Sequence, residues 1–68
     1  MNELARARGR AERLYKAPGF RSAYTSGAQA AIIGRTAAAC PYPADPRNTW
    51  RRAYRKAWLR GHGSVKRG

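Results

Sequence analysis

The sequence predicts an all-α protein: two antiparallel core helices joined by a proline-rich loop, with a basic N-terminal helix or arm and a flexible basic C-terminal tail. Three observations predict it. In two segments the apolar and small residues recur at steps of three and four, which gathers them on one helical face. A cluster of prolines separates those segments. The basic residues gather on the second segment and at both ends of the chain.

The elements follow in order. Residues 2 to 16 (NELARARGRAERLYK) are rich in helix formers, and Asn2 is a candidate cap. Gly9 weakens this stretch and its apolar residues are few, so fraying in the free protein is expected. Pro18, disfavoured inside a helix, suits a first turn and opens a core helix over residues 19 to 35. Phe20, Ala23, Tyr24, Gly27, Ala30, Ala31 and Gly34 share one face of it, large at its start and small at its end. Gly27 costs about 1 kcal/mol against alanine inside a helix, which close packing would justify. Gly34 suits a helix C-cap, although the helix is also free to continue through Ala37-Ala38-Ala39.

Residues 40 to 46 (CPYPADP) carry three prolines and cannot be helical; an extended, stiff connection is expected. Either isomer of the Tyr42–Pro43 bond is open. The second core helix is expected over residues 47 to 60, capped by Asp45 ahead of Pro46, or by Asn48 or Thr49 if it starts later. Trp50, Ala53, Tyr54, Ala57 and Trp58 form its apolar stripe, and Arg51, Arg52, Arg55, Lys56 and Arg60 occupy the rest of its surface. Gly61 ends it. The organisation expected is thus an arm over 1–17, a two-helix domain over 18–60 and a tail over 61–68.

A chain of 68 residues holds at most one domain, and its stability is marginal. No staple offsets this. Cys40 is the single cysteine, which fits a reducing, cytoplasmic compartment, and with His62 as the sole histidine a zinc site lacks ligands. No apolar run approaches the roughly 20 residues of a membrane span. Nor does the N-terminus, which holds Glu3 and Glu12, read as a secretory or transit signal. A monomer is expected when the protein is free.

Charge dominates the functional reading. Fifteen Lys and Arg face three acidic residues, for a formal net charge of +12, and only Lys16, Lys56 and Lys66 of the fifteen are lysine. Arginine suits forked recognition of phosphate and stacking on bases. From Pro46 onward no acidic residue interleaves. The partner expected is a polyanion, with Arg51, Arg52, Arg55, Lys56 and Arg60 on its phosphates. Trp50, Tyr54 and Trp58 could stack on unpaired bases, but in a chain so poor in large apolar residues they are read as core, with Phe20 and Tyr24. Tyr42 is open between stacking on a base and closing the helix pair. Cys40 has no acid or histidine near it in sequence and is read as a packed thiol. Without paired carboxylates, a phosphate loop or a metal cluster, no enzyme, cofactor, metal or small-molecule substrate is expected.

The segment Gly27-Ala28-Gln29-Ala30-Ala31-Ile32-Ile33-Gly34-Arg35-Thr36, followed after three residues by Cys40-Pro41-Tyr42, resembles the ribosome modulation factor family. The likeness continues through Arg47-Asn48-Thr49-Trp50 and Tyr54-Arg55 with Ala57, and covers about residues 20 to 58. Tyr54 stands where that family has tryptophan, the loop before Trp50 is one residue shorter, and neither end has a clear counterpart. The resemblance implies a two-helix protein that binds small-subunit ribosomal RNA, silences translation and promotes ribosome hibernation or dimerisation in stationary phase. On that reading the RNA contacts are Arg35, Arg47, Arg51, Arg52, Arg55, Lys56 and Arg60, with Arg6, Arg8, Arg10 and Arg13 from the arm. The structural set is Phe20, Tyr24, Gly27, Ala31, Gly34, Cys40, Pro41, Trp50, Tyr54 and Trp58. The competing expectation is a small basic DNA- or RNA-binding regulator that does not act on ribosomes. As DNA reader it is handicapped by a long turn and a second helix without base-reading amides on its outer face.

Overall fold

A computed structural model describes residues 3–44 and 47–65. The described residues are all-helical: α1 (Glu3–Leu14), α2 (Pro18–Ile32) and α3 (Thr49–Ser64), with a short 3-10 turn at Ala37–Ala39. Asn2, the Asp45-Pro46 alternative for a cap, and residues 66–68 of the expected tail lie outside the described residues.

The first stretch is a helix docked on the others. Glu3 in its first turn and Arg13 in its last complement the helix dipole. Ala7 and Ala11, one turn apart, are buried with Tyr24 and Ala28 of α2, and Tyr15 and Val65 pack around them. Arg10 ties all three helices: its Nε donates to Tyr24 Oη and its Nη2 to Ser64 Oγ, both at 3.3 Å. Of the two alternatives expected from sequence, helix or arm, the described residues take the helix, and it is packed where fraying was expected.

α2 starts with Pro18 at its first position and stops in a Schellman turn. Gly34 takes φ +86°, its N–H donates to Ala31 O at 3.1 Å, and the N–H of Arg35 donates to Ala30 O at 2.8 Å. The helix ends at Ile32 because Gly34, lacking a Cβ, takes the left-handed conformation that breaks the helical run. Gly34 is exposed, so its role is to stop the helix and not to fill the core.

α3 is capped by Asn48, whose side chain accepts from the N–H of Arg51 at 3.1 Å. It continues through Gly61 to Ser64, four residues beyond the expected end. The reason lies in the crossing with α2. A Cβ on Gly61 would collide with the Tyr24 carbonyl, and one on Gly27 would collide with the Trp58 carbonyl. Each helix thus lays a glycine on the other's backbone. Gly61 is an internal packing residue, not a terminator.

The helix pair is not antiparallel. Phe20 meets Tyr54 (ring centroids 4.7 Å apart) near the start of both helices, while the Arg35 carbonyl meets His62 Nε2 at 2.7 Å near the end of both. The pair runs in the same sense, and the described part of the connection, up to residue 44, lies against α3 through Tyr42. There Cys40 Sγ donates to the Tyr42 carbonyl at 3.7 Å, and Arg55 Nη1 of α3 donates to the same oxygen at 3.0 Å. The physical reason is reach. A helix of this length rises about 22 Å, and an extended, proline-stiffened chain at about 3.3 Å per residue covers that easily. No described peptide bond is cis.

Trp50, one turn before Tyr54, is 63% exposed and rests on the Tyr54 ring, with centroids 4.4 Å apart. Its assignment to the core is corrected, as is that of exposed Pro41. Tyr24, Gly27, Ala31 and Trp58 are buried as expected, while Phe20, Tyr54 and Cys40 are half-buried.

Candidate nucleic-acid interface

The burial of Ala57, Trp58 and Gly61 against α2 fixes how α3 is rotated about its axis. Everything on the opposite side of that helix is then held outward. Arg52, Lys56 and Arg60 are exposed away from the buried residues, Arg51 is exposed on another flank of the helix, and the side chains of all four have no hydrogen bond or ion pair with any described residue. Arg52, Lys56 and Arg60 are spaced by four, so they line up along the helix. Like charges so spaced repel one another, and an external polyanion would relieve that repulsion.

The remaining basic residues divide into two groups. Arg8 and Arg13 are exposed on α1 without a partner among the described residues. Arg6 is exposed and pairs with Glu3 at 3.7 Å, a surface contact worth little. Arg35 and Arg47 are exposed and engaged in contacts of their own. Arg10 and Arg55, both expected to meet RNA, are half-buried and committed to the fold: Arg10 to Tyr24 and Ser64, Arg55 to the Tyr42 carbonyl. Arg21 likewise donates through Nε to the Tyr15 carbonyl at 2.7 Å and pins the α1–α2 turn.

Aromatic rings run through the molecule as a connected row. Tyr24 touches Tyr15 (6.1 Å), Tyr15 stacks on Phe20 (5.8 Å, 29°), Phe20 meets Tyr54 edge-on, and Tyr54 carries Tyr42 (5.6 Å) and Trp50. Tyr42 thus does close the loop onto the helix pair. At the other end His62 stacks on Trp58 with centroids 5.4 Å apart, inside α3 and not in a tail.

Tyr15 is absent from the residues expected at the site, and Phe20 was expected there only as core. They border a groove with Ala53, Lys56, Ala57 and Arg60 of α3, and this joins a second depression lined by Thr49, Arg52, Ala53 and Lys56. Their signal in the sequence was faint: two rings bracketing the Ala17-Pro18-Gly19 break. No group of His, Cys, Asp or Glu able to hold a metal occurs among the described residues, and no described helix is long and apolar enough to cross a membrane. In comparison with known proteins, the chain matches no family model, no curated protein and no solved structure.

Proposed function

We propose that this chain binds structured RNA through the outer face of α3, and that the RNA is that of the small ribosomal subunit. The observation that carries the first part is the set of four exposed cations, Arg51, Arg52, Lys56 and Arg60, held outward on one rigid helix without a carboxylate partner among the described residues. Phosphate neutralisation by such a face releases counterions and gives affinity without requiring base-reading side chains. Trp50, exposed on the same helix, adds a ring able to stack on an unpaired base. The choice of ribosomal RNA rests on the resemblance of residues 20 to 58 to ribosome modulation factors. Under that reading the protein acts in the cytoplasm as a translational silencer and hibernation factor, without catalysis.

Sedimentation of the tagged protein with ribosomes through a sucrose gradient tests the proposal. Co-migration with the small subunit at low salt is expected, and four phosphate contacts predict a log–log salt slope of about −3 to −4. Protein that stays at the top of the gradient rules out the ribosomal reading. Equal affinity for duplex DNA and folded ribosomal RNA would favour the alternative, a regulator that does not act on ribosomes.

A further inference from the structure

The groove beside α3 has two unlike walls. One is cationic: Arg52, Lys56 and Arg60, exposed and without partners among the described residues. The other is aromatic: Tyr15 and Phe20, half-buried and stacked on each other. Ala53 and Ala57 form a floor without bulk. No acidic residue lines either part of it.

The aromatic wall is braced from behind. Tyr54 holds Phe20 edge-on at 82°, and Arg21 fixes the Tyr15 backbone. Rings held this way lose little freedom when a flat ligand packs on them. On the cationic wall, four residues of helix rise about 6 Å, close to the step between neighbouring phosphates of a nucleic-acid strand. An apolar ring facing a phosphate-spaced row of cations matches the chemistry of a nucleotide. A base inside a duplex is covered on both faces and cannot reach the rings, whereas an unpaired base can.

We propose that this groove is a nucleotide subsite for single-stranded RNA, in which one unpaired base packs on Tyr15 and Phe20 while the adjoining phosphates lie on Lys56 and Arg60 and the next on Arg52. The proposal rests on the nucleic-acid reading above and states where the strand enters.

The test uses the full chain, a fluorescently labelled single-stranded RNA oligomer of mixed sequence, and the same oligomer annealed to its complement. Tyr15→Leu with Phe20→Leu keeps apolar bulk while removing both rings. Affinity for the single strand should fall roughly ten- to a hundredfold, the size of one lost base stack. Duplex affinity and the salt slope should hold. Unchanged single-strand affinity, or an equal fall on both oligomers, overturns the subsite. A second measurement needs no variant: photocrosslinking of a thiouridine-containing single strand to the unaltered protein should map to Tyr15 or Phe20. Crosslinks confined to Trp50 or Tyr42 overturn it. If the unaltered protein binds neither oligomer nor ribosomes, the RNA-binding reading itself fails; if it binds and only the subsite results are negative, that reading stands without this groove.

Discussion

The two sides of α3 make a controlled comparison within one helix. Its inner side is built so that nothing can be added: Trp58 is 2% exposed, and Gly61 lies against the Tyr24 backbone. Its exposed surface is built so that nothing internal is bound: the side chains of Arg51, Arg52, Lys56 and Arg60 meet no described partner. The inner side therefore carries stability and the outer side carries charge, and substitutions on the two sides should separate cleanly.

The largest effect is expected from Trp58→Ala. Loss of a buried tryptophan costs about 3–5 kcal/mol, comparable to the whole stability of a small domain. Circular dichroism should show no cooperative melt; a melting temperature within a few degrees of the parent would show that the inner side does not carry the fold. Next comes Gly61→Ala. Its new Cβ meets backbone that no rotamer change can move, so a loss of about 2 kcal/mol or more is expected. At roughly 4–8 °C per kcal/mol this lowers the melting temperature by about 10 °C. The outer-side counterpart is Arg52→Gln with Lys56→Gln and Arg60→Gln. Melting should be unchanged or slightly higher as repulsion is relieved, while the log–log salt slope for RNA shrinks by about 2. A large loss of stability in that triple variant would break the comparison from the other side.

Two smaller effects sharpen it. Asn48→Ala removes the cap on Arg51 N–H and should cost about 1 kcal/mol in chemical denaturation. Gly63→Ala, two residues beyond Gly61 but with open space around its added Cβ beyond its own helix backbone, should stabilise by up to about 1 kcal/mol. The same substitution in the same helix then changes sign within two residues, and equal signs for Gly61→Ala and Gly63→Ala would contradict the crossing geometry.

The helices themselves were legible because periodicity and caps are local. Pro18 opens α2, Gly34 stops it, and Asn48 was one of the caps considered. Long-range geometry was less so. Glycine serves both as helix terminator and as close-packing residue, and only the partner backbone tells Gly61 from Gly34. The buried face of α1 consists of Ala7 and Ala11, which carry no more periodic signal than any alanine in a helix. Whether the connection between the core helices turns the chain back or runs it alongside depends on where the helices meet. Of the candidate interface, the arginine stripe was visible in the sequence. The commitment of Arg10 and Arg55 to internal acceptors was not, since a hydrogen bond to Tyr24 or Tyr42 leaves no mark on spacing.

The contrast between Trp50 and Trp58 has an optical consequence. One indole stands in water on the cationic helix and the other is enclosed at the glycine crossing. Their emission should separate into a red, quencher-accessible component and a blue, protected one. Iodide would extinguish the first at once, and the second only as the helices part. The unlabelled protein thus carries two built-in reporters: one senses what approaches α3, and the other senses whether α3 is still in place.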